Sequence, residues 1–557
     1  MTRQHRRMMT AAVLGLSMLA AACGSSGGGG TASGGTTGTT AGASGGNTKD
    51  TVDPGVQAGI KDALGGASTT AAASTGTTAT ATTVPAGPPQ SMDDWNKLWT
   101  TQRAAIVKRI TDNKWGLSAD GKTITGAEGF TIDVSKCPAG WNNIEGITDT
   151  ELKLGHTIAQ SGTLAIYGQI ANGMKAYFDV VNKTGIKDST GKTRKITYIP
   201  KDDGYDAART IPLVDELLDS EKVFTLITLG SPNTMKTYDK LNQRCVPQPI
   251  VMTGHPAWGD PVNHPWTTGQ QLAYNTEAVV WGSIIEQKAA ELKGSDGKIT
   301  VSALVMNNDF GKAYIAGFKA WLAQTPIASQ VNLQTETIEP TAPTITDPMT
   351  TLASKNPSVF IAMTAGTSCT QAITEASQNG LKEKAKMLFQ PSVCVGNSFL
   401  GKDKVGGDGS ASNGWFIVNG AAKTLESAAF DNDPWAKYAR DQLTAAGIDW
   451  KKENTTLTGT NWAWDYEQIV QIASALNGGL TRANFMVALR AMDMTNPALV
   501  DGAKWNMNGN KDAYLTEAAQ LVQYDSAKQV VTPVGPVIEL SGKSTNCVWD
   551  QQAGTCK

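Results

Sequence analysis

Small, hydroxyl-bearing loops that follow predicted strands are the part of this sequence best suited to chemistry. Glycines and serines in these loops leave backbone amides free, and several loops have an aromatic residue at their edge. In open parallel sheets, ligands bind at the carboxyl ends of the strands, where such loops and helix N-termini meet. The loops therefore predict a cleft that surrounds a small molecule. Its candidate contacts are Tyr167, Gly230, Ser231, Thr253, Gly254, His255, Phe310, Thr364, Ala365, Gly366 and Ser392.

A hydrolytic site is an alternative hypothesis for the function of the same loops. Ser231 and His255 follow adjacent predicted strands, so an esterase-like pair between them is geometrically conceivable. However, the sequence contains no G-x-S-x-G elbow, no H-E-x-x-H, no G-x-x-x-x-G-K-[ST] loop and no G-x-G-x-x-G after a strand. The residues thus favour a binding protein that has no catalytic residues and no cofactor.

Metal binding has little support in the residue pattern. Asp202, Asp203 and Asp206 lie close together, but they lack the ligand spacing of an EF-hand calcium loop. Histidines are few and no two cysteines form a C-x-x-C pair, so a zinc site is not indicated. We predict a solvated turn with a helix cap at the three aspartates, and no metal site.

Strands alternate with helices from about residue 148 onward, which is typical of βαβ units and a parallel sheet. The first series has strands at 152–158, 195–200, 223–228 and 249–253, with helices from 169 and at 207–219. The second has strands at 300–306, 358–364 and 386–390, with helices around 314–322 and 370–379. Two α/β lobes follow from this pattern. Crossings between the lobes are expected near 268–273, near 414–419 and late in the chain, and residues 462–476 are predicted to form a helix that returns to the first lobe.

The N-terminal residues have the layout of an export signal. Three arginines precede an apolar run at 11–22, which is shorter than the ~20 residues needed to span a bilayer. Residues 1–22 are therefore predicted to be a signal peptide. The sequence Leu-Ala-Ala-Ala-Cys that ends at Cys23 resembles the lipobox of bacterial lipoproteins, although Leu19 lies one place further from the cysteine than usual. An ordinary secretory signal cut nearby is the alternative.

Two segments separate Cys23 from the first predicted lobe. Residues 23–90 are rich in glycine, serine, threonine and alanine, and we predict a disordered tether there. Residues 91–147 form a Trp-rich extension that begins with apolar residues at helical spacing, which predicts one amphipathic helix and then an irregular stretch. These apolar residues are Trp95, Leu98, Trp99, Ile106 and Ile110. The extension is interpreted as a packing appendage, with a partner-binding surface as the alternative.

Seven cysteines are present, and lipidation of Cys23 would leave six. An even number in an exported protein indicates disulfides, and six cysteines allow fifteen connectivities. Short separation in the chain favours pairing Cys369 with Cys394 and Cys547 with Cys556. Cys137 and Cys245 then form the third pair.

Several short motifs stand in a fixed order along the chain. They are Leu152-Lys153-Leu154-Gly155, Ser161-Gly162, Tyr167-Gly168, Asn172-Gly173, Asp202-Asp203-Gly204, Gly230-Ser231, Asp309-Phe310-Gly311 and Gln378-Asn379-Gly380-Leu381. This series resembles type I periplasmic binding proteins of the branched-chain amino acid, amide and urea class over about residues 148–535. The resemblance implies two Rossmann-like lobes joined by a three-strand hinge, which capture a solute by closing over it for an ABC importer.

The resemblance also implies roles for individual residues. Tyr167 is implied to be an aromatic wall of the pocket, Ser231 and residues 253–255 to hold a ligand carboxylate, and Phe310 to close on the ligand from the second lobe. Relatives that bind amino acids carry an acid near the position of Ser392 and an aromatic near Ala365, and this sequence has neither. An α-amino acid ligand is therefore disfavoured, while amides, urea-like solutes and other carboxylates stay open.

The predicted organisation after the extension comprises four parts. These are lobe 1 at 148–270, lobe 2 at 271–415, a part at 416–535 that returns to lobe 1 and then lobe 2, and a terminal disulfide loop at 536–557. The expected partners are a small-molecule ligand, an ABC permease and, through a lipid anchor, the membrane. A net charge of −2 without a basic stripe excludes a nucleic-acid partner. We predict a monomer outside the cytoplasm, with a surface ligand sensor of the same fold as the alternative.

Overall fold

Two stretches of the chain, residues 52–65 and 87–557, are described by the computed structural model. The predicted signal peptide, Cys23 and most of the predicted tether lie outside them. Across these two stretches, no helix combines the length and the apolar character needed to cross a bilayer.

Among the described residues, two helices and a small antiparallel sheet precede the first lobe, and the sheet occupies part of the stretch predicted to be irregular. They are α1 (Pro54–Gly65), α2 (Met92–Asp112), β1 (Gly116–Leu117), β2 (Thr123–Thr125) and β3 (Thr131–Asp133). Helix α2 is the predicted amphipathic helix: Ser91 caps it by accepting a hydrogen bond from the Asp94 amide at 3.1 Å. Its apolar stripe is buried, with Trp95 and Trp99 each about 5% exposed or less, so the indoles face the body of the protein.

Lobe 1 is built on a mostly parallel sheet. Its elements are β4 (Glu151–Ile158), α3 (Gln169–Val181), β5 (Ile186–Lys187), β6 (Thr193–Asp202), α4 (Ala207–Asp215), β7 (Thr225–Thr228), α5 (Ser231–Met235), α6 (Tyr238–Gln243), β8 (Gln248–Val251) and β9 (Thr267–Gly269). The strand order is β5-β6-β4-β7, with β4 parallel to β6 and to β7. Strand β8 lies beside β7, since the Met252 amide donates to the Thr228 carbonyl at 2.9 Å.

Lobe 2 follows with a larger sheet. Its elements are α7 (Tyr274–Gln287), α8 (Ala289–Leu292), β10 (Ile299–Met306), α9 (Asp309–Gln324), β11 (Val331–Ile338), α10 (Thr346–Ser354), β12 (Val359–Met363), α11 (Thr367–Gln378), α12 (Leu381–Lys384), β13 (Met387–Gln390), α13 (Asn397–Leu400), α14 (Lys402–Val405) and β14 (Phe416–Asn419). The predicted strands and helices of both series are present. Strand β11, which the sequence did not reveal, is the partly exposed edge strand of this sheet.

The C-terminal part contributes to both lobes. Its elements are α15 (Pro434–Ala445), α16 (Thr455–Ala475), α17 (Arg482–Arg490), β15 (Asp493–Met494), β16 (Trp505–Asn506), β17 (Ala519–Asp525), β18 (Val530–Ile538), β19 (Trp549–Asp550) and β20 (Thr555–Cys556). Helix α16 packs on α3, which confirms the predicted return to lobe 1. Strands β17 and β18 extend the lobe 2 sheet, whose order is β11-β10-β12-β13-β14-β17-β18. The first five of these strands are parallel and the last two antiparallel.

The chain passes between the lobes after β9, after β14 and again before β17. The second passage comes directly after the expected 414–419, because residues Phe416–Asn419 still pair with β13 and β17 inside lobe 2. The chain therefore leaves lobe 2 at Gly420. The terminal segment also reaches lobe 1, since the Cys547 amide donates to the Gly259 carbonyl at 2.8 Å.

Helix α1 lies within the segment for which the composition predicts disorder. Val52, Val56 and Ile60 are buried, and the helix packs against α7 and β18 of lobe 2. The Asp53 carboxylate accepts hydrogen bonds from the amides of Gly55 and Thr545. Burial of an apolar face therefore stabilises this short helix where local propensity alone would not.

The described residues contain three disulfides, and they are the pairs that the sequence favours. Cys137–Cys245 joins the extension to lobe 1, Cys369–Cys394 joins α11 to the turn that follows β13 in lobe 2, and Cys547–Cys556 closes the terminal loop. Because the first of these spans 108 residues, it constrains the unfolded chain most strongly.

Candidate functional site

A cavity of about 240 Å³ lies between the two lobes, close to the lower end of the ~300–1,000 Å³ typical of small-molecule sites. Residues from both lobes and from the crossing segments line it. The aromatic members are Tyr167 and Tyr205 from lobe 1, Tyr274, Phe310 and Phe399 from lobe 2, and Trp462 from α16.

The lobes touch directly beside this cavity. The Tyr167 hydroxyl accepts a hydrogen bond from the Gly366 amide at 3.1 Å and donates to the Val393 carbonyl at 3.1 Å. Thr163 adds two contacts, donating from its hydroxyl to the Pro340 carbonyl at 2.8 Å and accepting at its carbonyl from the Thr367 amide at 3.0 Å. Four interlobe hydrogen bonds thus hold the cleft in a closed arrangement.

Gly366 of lobe 2 lies directly against Thr163 of lobe 1. Its φ of +63° is in the left-handed region, and a Cβ there would lie 2.5 Å from the Thr163 carbonyl oxygen. A side chain at this position would therefore separate the lobes or strain the backbone.

Five of the predicted contact residues line the cavity: Tyr167, Gly230, Phe310, Ala365 and Ser392. These residues meet because each follows the carboxyl end of a parallel strand, and β4, β7, β10, β12 and β13 all end at the cleft. Gly230 also requires its lack of a side chain, since its φ is +96° and a Cβ would lie 2.3 Å from the ring of Tyr205. The Tyr274 and Phe310 rings lie 5.0 Å apart, so the aromatic groups form one wall.

Six predicted contacts do not line the cavity: Ser231, Thr253, Gly254, His255, Thr364 and Gly366. The hydroxyls of Ser231 and Thr253 bond to each other at 2.7 Å, and both side chains are buried. The predicted carboxylate grip of Ser231 therefore has its hydroxyl engaged within lobe 1.

His255 lies outside the cavity lining, against residues of lobe 1 and the terminal segment. Its Nδ1 accepts from the Ala257 amide at 3.2 Å, and its ring packs 4.4 Å from that of Trp549. Burial lowers its pKa to about 3, so the imidazole is neutral. The Ser231 hydroxyl bonds to Thr253 and not to His255, so the esterase-like pair conceivable from sequence is not hydrogen-bonded in this arrangement.

A buried carboxylate lies directly behind Ser392, which sequence reasoning missed. The Glu277 side chain of α7 accepts from the Ser392 amide at 2.8 Å, from the Ser392 hydroxyl at 2.7 Å and from the Tyr314 hydroxyl at 2.7 Å. Burial raises the pKa of Glu277 to about 8. It is 0% exposed and does not line the cavity, so it orients Ser392 without facing a solute.

The remaining cavity wall comes from segments remote in sequence. Three segments contribute polar or charged side chains to it. These side chains are Asn419, Lys423 and Glu426 from 419–426, Asn454 and Asn461 from 454–462, and Asn496 from 495–499. Lys423 is already engaged, because its ammonium donates to Asp433 at 2.7 Å and to the Pro497 carbonyl at 3.0 Å. Of the two tryptophans in α16 that could have reached the cleft, Trp462 does, while Trp464 packs among Trp99, Trp435 and Trp505.

The three aspartates near residue 203 form a turn with a helix cap, but the turn is not solvated throughout as predicted, because Asp203 is buried. Asp206 caps α4 by accepting from the Ala208 amide at 2.8 Å, and Asp203 accepts from the Thr210 hydroxyl and the Asn233 amide group, both at 2.9 Å. Within residues 52–65 and 87–557, no group of three or more His, Cys, Asp and Glu side chains is arranged to hold a metal ion.

A family model described as "Periplasmic binding protein" matches residues 151–529, more than half of the chain. The chain belongs to this periplasmic binding protein family. Its members are solute-binding proteins of ABC transporters and act outside the cytoplasm. The extension at 91–147 precedes the matched residues and so adds to the family's common body.

Solved structures show the same two-lobed fold. A fatty acid ABC transporter substrate-binding protein from Thermomonospora curvata is similar with a TM-score of 0.59 and 18% identity, over 72% of this chain and 95% of that one. A branched-chain amino acid ABC transporter structure from Thermus thermophilus with bound valine gives 0.58 and 14%, over 70% and 97%. A Rhodopseudomonas palustris solute-binding protein in complex with p-hydroxybenzoic acid gives 0.55 and 15%, over 69% and 98%. No curated protein matches the sequence.

Proposed function

We propose that this binding protein delivers a small solute with an apolar body and a carboxylate or amide head to an ABC permease. The observation that carries the proposal is the aromatic wall formed by Tyr167, Tyr205, Tyr274 and Phe310 around one cavity. Apolar surface removed from water contributes about 25 cal/mol per Å², so such a wall favours an aromatic or short aliphatic body.

The charges around the cavity support the same class of solute. Lys423 is neutralised by Asp433 at 2.7 Å, and Glu277 is fully buried behind Ser392. Glu426 also lines the cavity, but burial raises the pKa of its carboxyl and its Oε1 accepts from the Asn397 amide at 3.3 Å. All three groups are thus poorly suited to pair with the ammonium and carboxylate of an α-amino acid. Gln270, Gln271 and Ser392, which also line the cavity, supply neutral groups that suit a single polar head.

The solved relatives are consistent with this range. One is described as a fatty acid binder and another holds p-hydroxybenzoic acid, so the fold accepts apolar bodies that carry one carboxylate. A third holds valine, and branched-chain amino acids therefore belong in the test.

A thermal-shift panel tests the proposal directly. The panel contains benzoate, p-hydroxybenzoate, hexanoate, valine and urea, each titrated against the chain from residue 48 onward. A ligand that binds only the folded state at 100 times its Kd adds about 2.7 kcal/mol of stability. We expect benzoates or hexanoate to raise the melting temperature in a saturable way, and to do so more than valine or urea.

A pair of variants ties the response to the cavity. Phe310→Ala removes one aromatic face of the wall and should abolish the shift, whereas Trp450→Ala removes a partly exposed aromatic outside the cavity and should keep it. A flat response of the wild-type protein to the whole panel, or a shift that survives Phe310→Ala, would contradict the proposed solute class.

The proposal extends to the membrane anchor and the oligomeric state of the protein. Cys23 is proposed to carry the lipid, and the mature protein to be monomeric. With Cys23→Ser, the protein should move from the detergent phase to the aqueous phase on Triton X-114 partitioning. Light scattering of the soluble chain should give the mass of one copy; detergent-phase partitioning of the variant, or a dimer mass, would count against these two points.

A further inference from the structure

Helix α2 of the extension holds one of the loops that line the cavity. The backbone amide of Thr495 donates to Gln102 Oε1 at 3.1 Å, and Gln102 Nε2 donates to Thr495 Oγ1 at 2.8 Å. In addition, Trp99 Nε1 donates to the Thr495 carbonyl at 3.1 Å. All three polar groups of Thr495 are thus bonded to α2.

The next residue of that loop faces the cavity. Asn496 is buried and lines the cavity wall, and its amide group donates to Asp465 Oδ1 at 2.7 Å. The other oxygen of Asp465 accepts from Gln270 Nε2 at 2.9 Å, and Gln270 also lines the cavity. A continuous set of hydrogen bonds therefore runs from α2 through Thr495 and Asn496 to the first crossing between the lobes.

A second contact joins α2 to the opposite cavity loop. The Lys423 ammonium lies 5.9 Å from the Trp95 ring centroid and donates to the Pro497 carbonyl at 3.0 Å. The Lys423 amide also donates to the Ala498 carbonyl at 2.7 Å. The two cavity-lining loops are thereby bonded to each other, and both touch α2.

Helix α2 can position these loops because it is fixed independently of them. Its apolar stripe, which includes Ile106 and Ile110, is buried, and it packs against α16 and α17. Residues 495–499 form no strand or helix, so their backbone groups depend on such external partners for order.

We propose that α2 is a positioning element of the solute cavity, in which Gln102 and Trp99 hold Thr495 so that Asn496 keeps its place in the cavity wall. The proposal rests on the proposed function for its solute, but the order of the loop can be measured without one. It gives the extension, which lies outside the family's matched residues, a role in solute affinity.

The decisive variant is Gln102→Ala, which removes two hydrogen bonds and leaves the buried stripe of α2 intact. Gln102→Glu restores both, because a carboxylate accepts from the Thr495 amide and from its hydroxyl. Thr101→Ala is the matched control, since Thr101 is exposed on the same helix and bonds only within it, to the Lys97 carbonyl.

Two measurements separate this proposal from the proposed function. Hydrogen exchange of the ligand-free protein should become faster in residues 495–499 for Gln102→Ala, and return to the wild-type rate for Gln102→Glu. Titration with benzoate and hexanoate should show about tenfold weaker binding for Gln102→Ala, with Thr101→Ala and Gln102→Glu close to wild type and melting temperatures within about 2 °C of each other.

Each outcome decides one of the two proposals. Unchanged exchange in Gln102→Ala overturns the positioning role, as does faster exchange with unchanged affinity. If the wild-type protein binds neither probe, the proposed solute class fails, while faster exchange that Gln102→Glu reverses still supports the positioning of the cavity loop by α2.

Discussion

The Tyr167 hydroxyl of lobe 1 accepts a 3.1 Å hydrogen bond from the Gly366 amide of lobe 2. The same hydroxyl donates to the Val393 carbonyl, so one oxygen atom joins two loops of lobe 2 to lobe 1. Closure of the cleft around a solute therefore depends on a group that also lines the cavity, which links solute binding to the relative position of the lobes.

Tyr167→Phe should weaken solute binding about tenfold, because it removes both interlobe hydrogen bonds, each worth about 0.5–1.5 kcal/mol, and keeps the ring. Calorimetric titration with the best solute of the panel measures the change. Tyr524→Phe is the control, since its hydroxyl bonds to Asn397 inside lobe 2 at 2.8 Å. Equal losses in the two variants would argue against a role of the interlobe bonds.

Glu277 should make the protein less stable as the pH rises. Burial raises its pKa to about 8, above the value near 4.5 of an exposed glutamate. The folded state therefore retains a proton that the unfolded state releases, and the free energy of unfolding falls between pH 4.5 and 8 by up to about 1.4 kcal/mol per pH unit.

Glu277→Gln should remove about 4 kcal/mol of that fall over the whole window, because an amide can keep the bonds to Ser392 and Tyr314 without ionising. Urea denaturation at pH 5, 6.5 and 8 tests this, with Glu286→Gln on the same helix as the control. A fall as steep as that of the wild type would show that other groups cause it.

His264 should stabilise the fold most at low pH. Burial lowers the pKa of its imidazole, but hydrogen bonds to Asp239 at 2.8 Å and Asp260 at 3.2 Å outweigh that effect and raise the pKa to about 9. The resulting stability is complete below pH 6.5 and is lost as the pH rises through 9. His264→Gln should thus cost about 2 kcal/mol at pH 6 and little at pH 10; the same loss at both values in urea denaturation would refute the ion pairs.

The disulfides Cys137–Cys245 and Cys547–Cys556 should differ in their effect on stability, because they close loops of different length. Replacing Cys137 and Cys245 by serine opens a loop of 108 residues and should lower the free energy of unfolding by about 4–5 kcal/mol. Replacing Cys547 and Cys556 opens a loop of 9 residues and should cost about 2–3 kcal/mol. Chemical denaturation of the two double variants provides the comparison, and a larger loss for the terminal pair would contradict it.

The cavity residues that directly follow parallel strands could be predicted from the sequence. Tyr167, Phe310 and Ser392 could be predicted because the carboxyl ends of parallel strands meet at one edge of a sheet. The same rule could not separate residues on the wall from those one layer behind it. Ser231 and His255 follow the right strands, but their side chains are taken by Thr253 and Ala257.

The rest of the cavity depends on packing between distant segments. Nothing in the sequence near Asn496 indicates that Asp465 and Thr495 will fix it, since these contacts arise only when α16 and α2 come together. Helix α1 is a different case, because Val52, Val56 and Ile60 recur at helical spacing within the otherwise small and polar segment. This spacing indicates a helix, but the composition of the surrounding segment favoured a prediction of disorder.

The position of α1 also determines where mechanical load enters the molecule. Because α1 packs on α7 and β18, a pull from the N-terminal side of the chain reaches lobe 2 before it reaches lobe 1. About 30 residues separate Cys23 from Asp53, and a chain of that length spans at most ~100 Å. A protein held at Cys23 would therefore keep lobe 2 within this radius of its attachment point.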